Sequence, residues 1–461
     1  MSIRSFISSK YSALGLSERT GSVVKNVGLG FVAKGLSILF SFIQIPLILS
    51  ILDKTEYGIW ITIFSVTGWL SFFDIGMGNG FRNQLTEALA VNDTDKAKKL
   101  VSTIYISMFG IFTCIIILFI IASNYVPWVE IFNAPKRLET QLYYTVVISV
   151  SAAAINFVAG LVHIILAAKH QTGKSSMLFL IGQALTLSFI IYYKGHQTGY
   201  SFFILTTVLS VIPLLVNVGI NIYLFFSSYR NIAPSVIHYR KGYFKGLMNI
   251  GIMFFLIQIS GLVMFETDSI IINQLYGPAE VTVYSIVYKY FSSVMLLFTI
   301  ISAPLWTMYV DSYSSKDFSW IINNLKRMTY FFYGVIIILF LMNLAAPFIF
   351  SMWVGNAIQN SVSLNVLISI FMIVYIWGNI WVLPVNARGK IKVQMYLSIT
   401  AAVINVPAIL LTNLFIHNIN AVLIGNILSN CISSFGIFIF YKKIIYPELV
   451  KILPSERVVI N

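Results

Sequence analysis

The stretch KNVGLGFVAKGLSILFSFIQIPLILSILDKTEYGIW, residues 25–60, decides the fold of this chain. Its apolar run over 25–52 exceeds the roughly 20 residues that one transmembrane helix needs. A short polar turn then leads directly into a second apolar run. Because no obvious small-residue cleavage site follows the first run, we interpret it as a retained helix and not as a signal peptide. The stretch therefore predicts an integral membrane protein.

The composition of all 461 residues supports the same interpretation. Hydrophobic residues make up 58% of the chain and charged residues 10%, whereas a soluble domain averages about 45–50% and about 25%. Twelve transmembrane helices would use roughly 240 residues and leave little more than connecting loops and tails. No soluble catalytic domain fits in the remainder, so we do not expect an enzyme.

Long apolar runs predict twelve membrane helices in two groups of six. The first group covers 25–52, 57–80, 100–122, 142–167, 177–193 and 200–226, and the second covers 246–275, 281–310, 324–350, 362–386, 393–413 and 420–440. The predicted fold is all-α and polytopic, with two six-helix bundles as parallel repeats about an axis along the membrane normal. The predicted domains are a cytoplasmic segment at 1–24, bundles at 25–226 and 246–440, a linker at 227–245 and a cytoplasmic tail at 441–461.

The distribution of basic residues predicts the orientation. The chain has 30 Lys and Arg against 16 Asp and Glu, a net charge of +14. With a cytoplasmic amino terminus, 24 basic residues fall in cytoplasmic segments, 4 in external connections, and Lys34 and Lys289 within helices. This asymmetry predicts that both termini are cytoplasmic. It accounts for the positive charge without nucleic acid, while contact with anionic membrane lipid stays open.

Charged residues inside predicted spans are candidates for function, because they are costly to keep in the bilayer. In the first bundle, Lys34 could form a structural ion pair with Asp74, or it could face a cavity and attract a diphosphate. Arg82 is either an anchor at the cytoplasmic rim or an entrance cation for a phosphate headgroup. His163 is more typical of an interfacial hydrogen bond than of a proton relay.

The second bundle has three such charges. Asp268 and Lys289 lie at similar depths and could pair. Helical residues advance about 100° each, so Glu266 points roughly 200° away from Asp268 and faces something else. Glu266, Ser269 and Asn273 form a polar stripe at i, i+3 and i+7. We therefore predict Glu266 as the ion-coupling carboxylate, with an interhelical hydrogen bond as the alternative.

Several motifs are missing from the sequence. It has no GxxxxGK[ST] loop for nucleotide and no HExxH motif for metal. Its two cysteines, Cys114 and Cys431, both lie in apolar stretches. We therefore predict neither a metal nor a cofactor.

Two stretches carry a family resemblance. Residues 25–60, preceded by a basic segment, and FDIGMGNGFRNQL at 73–85, followed by a basic loop, resemble the Wzx-type O-antigen flippases of bacterial polysaccharide biosynthesis. That polysaccharide transporter family belongs to the superfamily of lipid II flippases and multidrug and toxin extrusion transporters. In such proteins a cationic cavity receives the diphosphate, a role that Lys34 and Arg82, beside Asp74, could fill here.

The resemblance implies a function. It is translocation of an undecaprenyl-diphosphate-linked oligosaccharide across the bacterial inner membrane by alternating access, coupled to H+ or Na+, with a polysaccharide polymerase and chain-length proteins as possible partners. One alternative is a multidrug or cation antiporter, which Glu266 and Asp268 favour and Lys34 disfavours, because a fixed cation repels cationic ligands. A polysaccharide polymerase or ligase is disfavoured by the short external loops.

Overall fold

A computed structural model of the protein describes residues 18–70, 77–169, 171–355, 358, 359 and 361–452. Within these ranges the chain is helical and contains no β-strand. Its α-helices are α1 (Glu18–Leu49), α2 (Lys54–Gly68), α3 (Met77–Ala90), α4 (Thr94–Ser123), α5 (Trp128–Ile131), α6 (Glu139–Ala159), α7 (Leu161–Ala168), α8 (Thr172–Lys194), α9 (Ser201–Phe226), α10 (Lys241–Phe265), α11 (Thr267–Tyr276), α12 (Pro278–Ser314), α13 (Phe318–Trp353), α14 (Val362–Ala387), α15 (Ile391–Asn413), α16 (Asn420–Phe440) and α17 (Tyr446–Ile452).

Eleven helical segments in the described part of the chain are long and apolar enough to cross a membrane. The protein is therefore a multi-pass membrane protein, and the predicted all-α polytopic fold is confirmed. The predicted second span, 57–80, falls on α2, on residues 71–76, which lie outside the described ranges, and on the start of α3. The span predicted at 177–193 is present as the longer helix α8, and the span predicted at 200–226 is present as α9.

The chain divides by contacts into two compact units. The first contains the residues up to Asp53 together with Leu70–Glu130 and Pro135–Ile252, and the second contains Lys54–Trp69, Ile131–Ala134 and the residues from Met253 onward. Helix α2 therefore packs with later helices, chiefly α12. The domain limits predicted from the sequence place α2 in the first bundle, at 25–226, and stay a prediction.

The same turn precedes α4 in the first unit and α13 in the second. In each turn a residue with positive φ, Asn92 (56°) or Lys316 (61°), is followed by an aspartate that caps the next helix. The Asp93 carboxylate accepts a 2.9 Å hydrogen bond from the Lys96 backbone N–H, and Asp317 accepts one of 3.0 Å from Trp320. Such caps satisfy backbone donors at a helix start. The repeat expected from the sequence thus has a local counterpart in these two turns.

Two of the predicted spans each contain a helix break. The predicted helix 142–167 consists of α6 and α7, which meet at Gly160, where the backbone N–H bonds to the Asn156 carbonyl at 2.8 Å. The predicted helix 246–275 consists of α10 and α11, which meet at Glu266. The second interruption therefore places a carboxyl group at a helix break.

Candidate functional site

Glu266 lies between α10 and α11, inside the candidate span Phe255–Tyr276. The side chain is half-buried, and the Glu266 backbone N–H still donates to the Leu262 carbonyl at 2.8 Å. A helical hydrogen bond thus continues across the break, which is therefore slight. It nevertheless places an acidic side chain within a membrane span, where such groups are costly and usually functional.

Helix α2, in the same unit, provides the neighbours of Glu266. The hydroxyl of Ser65, which is buried, hydrogen-bonds to the Glu266 carboxylate. A Cβ atom at Gly68 would lie 3.2 Å from Cδ and 3.4 Å from Oε2 of Glu266. Because Gly68 has no side chain, the carboxyl group can approach α2 this closely.

Asp268, in the first turn of α11, is only 1% exposed. Its Oδ2 accepts a 2.6 Å hydrogen bond from the Tyr284 hydroxyl on α12 and a 2.7 Å hydrogen bond from the Asn426 side-chain amide on α16. Its Oδ1 has no hydrogen-bond partner within the described ranges. One carboxylate thus joins three helices.

The hydrogen bonds continue from Asn426 to α15. The Asn405 side-chain amide donates to Oδ1 of Asn426 at 2.8 Å and to the Ser429 hydroxyl at 3.0 Å. Asn405, Asn426 and Ser429 are all at most 1% exposed. Polar groups so deeply buried need partners, and here each contributes to one connected network centred on Asp268.

Lys289 is half-buried on α12. The described contacts of Asp268 are those to Tyr284 and Asn426. The ion pair of Asp268 with Lys289 stays a prediction.

The two basic candidates for the diphosphate site lie in the first unit. Lys34 is exposed on α1, within the candidate span Gly28–Leu49, and Arg82 is exposed on α3. Asp74 lies outside the described residues, so the pair expected with Lys34 is not described. Helix α1 itself is held to α8 by Gln44, whose side-chain amide donates to Oε1 of Gln183 at 3.0 Å.

His163 lies in a hydrogen-bonded row of side chains in the first unit. Its ring nitrogens are 2.8 Å from the Ser175 hydroxyl and 2.9 Å from Oδ1 of Asn217. The Asn217 side-chain amide in turn donates to Oδ1 of Asn156 at 2.9 Å. These contacts join α6, α7, α8 and α9 and fit the role of an interhelical hydrogen-bonding residue.

Sequence reasoning missed the neutral members of the Asp268 network. A signal was present on α16, where Asn426, Ser429 and Asn430 fall at i, i+3 and i+4 and are all buried. A polar stripe on one face of an apolar helix indicates interhelical hydrogen bonds. In the ranges that the structure describes, no three His, Cys, Asp or Glu side chains come together in a way that could hold a metal ion.

At the other end of α2, the lack of a side chain at Gly58 lets this helix approach α12 closely. A Cβ atom at Gly58 would lie 1.7 Å from the Pro278 carbonyl oxygen. The Thr282 hydroxyl donates a 2.6 Å hydrogen bond to the Lys54 carbonyl. These residues lie at or near the starts of α2 and α12, so the two helix starts are packed directly against each other.

Some known proteins are similar to this chain in sequence, and other proteins of known structure share its fold. The chain is 22% identical over 383 residues to a provisionally named O-antigen export protein of Yersinia pseudotuberculosis, covering 77% of this chain and 81% of that protein. It is 24% identical over 279 residues to a provisionally named O-antigen transporter of Salmonella typhimurium (strain LT2), covering 58% and 60%. No protein-family model matches the chain.

Among solved structures, an inward-facing multidrug resistance MATE family transporter of the MOP superfamily superposes with a TM-score of 0.75 at 14% identity, over 91% of this chain and 96% of that chain. An outward-facing structure of a transporter with the same description superposes with a TM-score of 0.63 at 14% identity, over 94% and 97%. The chain has the MATE fold. Together with the two O-antigen relatives, this fold confirms the resemblance stated for residues 25–60 and 73–85. The helix break at Glu266 and the Asp268 network are thus features of a MATE-fold chain.

Proposed function

We propose that this protein is a flippase for an undecaprenyl-diphosphate-linked oligosaccharide, an O-antigen repeat unit or a similar glycan, in the bacterial inner membrane. The observation that carries the proposal is the similarity, over most of the chain, to the protein named for O-antigen export. The MATE fold supports it, because the solved proteins with that fold are described as transporters. The substrate is moved by alternating access and leaves chemically unchanged.

We infer that Lys34 binds the diphosphate group. Lys34 is exposed although it lies within a candidate span, so its side chain is not packed inside the first unit. Arg82, also exposed, adds a guanidinium whose planar donors match phosphate oxygens. The lipid tail stays in the bilayer. In the sequence, Asp74 lies between Lys34 and Arg82.

We infer that Glu266 couples transport to an H+ or Na+ gradient. Its carboxylate contacts α2 through Ser65, and Gly68 makes that contact possible. Neutralising the carboxylate with a proton or a cation removes the charge from this hydrogen bond, and charge-assisted bonds are the stronger kind. Ion binding therefore changes how firmly α2 is held to α11, which gives the ion a means of biasing α2 between two positions.

We infer that Asp268 has a structural role. It holds α11, α12 and α16 together through Tyr284 and Asn426, and Lys289 could neutralise its charge. Glu266 and Asp268 are thus two residues apart in the sequence, but Glu266 contacts α2 whereas Asp268 contacts α12 and α16.

Both termini are proposed to face the cytoplasm, where 24 of the basic residues then lie. A polysaccharide polymerase and chain-length proteins would use the translocated unit at the external face.

Deleting the gene tests the function in cells. We expect lipid-linked repeat units to accumulate inside, with unchanged mass, and surface glycan to return with the wild-type gene. Normal surface glycan in the deletion strain would contradict the proposal.

The MATE fold also keeps a drug or cation antiporter as a second candidate, since solved structures with this fold are described as multidrug resistance transporters. Exposed Lys34 in the first unit disfavours the antiporter, because its charge repels cationic ligands. Efflux of a cationic dye from cells that express the protein distinguishes the two. Gradient-driven dye efflux that Lys34→Ala leaves unchanged would favour the antiporter.

A further inference from the structure

An apolar groove in the first unit has no role in the function proposed above. It has a volume of about 780 Å³ and is formed by α4, α6, α9 and the segment that follows α9. Phe109, Ile222 and Phe226 line it and are 65%, 56% and 83% exposed. On helices that cross a membrane, such exposed apolar side chains contact lipid chains, since water does not reach them.

The floor of the groove is held in place by hydrogen bonds. The Tyr105 hydroxyl donates to Oδ1 of Asn221 at 2.6 Å, and the Asn221 amide donates to the Ala159 carbonyl at 2.7 Å. The rings of Tyr105 and Phe225 meet edge to face with centroids 5.5 Å apart. The three helices are therefore fixed around the groove, and ligand sites are typically pre-formed in this way.

One end of the groove is basic. Arg230 lines it and is exposed. At the same end, the segment after α9 is tied to the start of α4, because the Ser235 backbone N–H donates to the Ser102 hydroxyl at 3.0 Å. The first turns of α4 carry Lys96, Lys98 and Lys99. An apolar groove with a cation at its mouth is complementary to an amphiphile with an anionic head.

We propose that this groove binds an anionic glycerophospholipid of the bilayer, with an acyl chain between α4 and α9 and the lipid phosphate at the Arg230 guanidinium. Guanidinium binds phosphate oxygens with two parallel hydrogen bonds, and basic pockets between membrane helices commonly bind anionic headgroups. The apolar lining is suited to an acyl chain. The proposal does not depend on the transported substrate.

The test is retention of lipid by the delipidated full-length protein, measured by native mass spectrometry. Dioleoyl phosphatidylglycerol and dioleoyl phosphatidylcholine are titrated at equal concentration. We expect the wild type to retain phosphatidylglycerol preferentially. Arg230→Gln should reduce that preference about fivefold, the contribution of one basic contact to an anionic lipid. Val218→Trp fills the groove from α9 and should remove the binding of both lipids to this site.

Two matched controls lie in the second unit. Arg327→Gln removes a charge that is likewise exposed, and Val403→Trp adds the same bulk at a lipid-exposed position outside the groove. Both should retain phosphatidylglycerol like the wild type. Equal retention of the two lipids by the wild type, or retention unchanged by Arg230→Gln and Val218→Trp, overturns the proposal. So does displacement of phosphatidylglycerol by equimolar undecaprenyl phosphate, which would assign the groove to the carrier lipid.

Discussion

The side-chain amide of Asn426 donates a 2.7 Å hydrogen bond to Oδ2 of Asp268, although the two residues are 158 positions apart in the chain. Both are 1% exposed. The bond joins α16 to the first turn of α11, directly after the break at Glu266. The short helix that follows the break is therefore anchored at its start, while Glu266 itself contacts α2.

Asn426→Leu should destabilise the protein by about 1–3 kcal/mol, because it leaves Asp268 and Asn405 with fewer partners in a buried site. Thermal unfolding in detergent measures this. The exchanged pair Asp268→Asn with Asn426→Asp keeps one amide and one carboxylate in contact and should recover part of the loss. Asn83→Leu, at an exposed position on α3, is the control. An Asn426→Leu protein as stable as the wild type would refute the anchoring role.

Gly58→Ala should displace α2 from α12, because the new Cβ atom would lie 1.7 Å from the Pro278 carbonyl oxygen. Overpacking of this kind typically costs about 1–3 kcal/mol. The reporter is Thr282→Cys in a protein without Cys114 and Cys431, since Thr282 is fully buried beside α2. Maleimide labelling should increase with Gly58→Ala but not with Gly110→Ala, where the added atom meets nothing within 4 Å. Unchanged labelling would show that α2 does not move.

Glu266→Gln keeps the shape of the side chain but removes its titration. We expect substrate binding to persist and gradient-driven transport in vesicles to slow by about 5- to 150-fold, the usual range for coupling between sites. Counterflow without a gradient should suffer less. Glu139→Gln, at an exposed position, is the matched control. Equal transport by Glu266→Gln and wild type under an imposed gradient would exclude this carboxylate as the coupling group.

Reporter fusions test the orientation predicted from the basic residues. Fusions after Lys98, Arg240, Arg388 and Lys443 should report the cytoplasm, and fusions after Trp128 and Trp353 the exterior. A cytoplasmic signal at Trp353 would contradict the topology of the second half.

The sequence predicted the membrane helices well, because runs such as 200–226 need only length and hydrophobicity to be recognised. It did not predict the packing of α2 with α12, since nothing at Lys54 indicates that its carbonyl accepts a hydrogen bond from Thr282, 228 positions further along the chain. It identified Glu266 and Asp268 as costly charges. Their partners, Ser65 and Asn426, are neutral residues on distant helices, and hydrophobic periodicity carries no information about such long-range pairs.

The most direct test of the central claim measures translocation of an undecaprenyl-diphosphate-linked oligosaccharide in vesicles that contain the purified protein. A lectin added outside detects glycan that has crossed. We predict gradient-dependent appearance with the wild type, a loss of about ten- to hundredfold with Lys34→Ala, the value of one charged hydrogen bond, and partial activity with Lys34→Arg. In cells with normal protein abundance, Lys34→Ala should abolish surface polysaccharide and Lys34→Arg should retain part of it. Translocation no faster than in protein-free vesicles, with folded protein and an imposed gradient, would contradict the account.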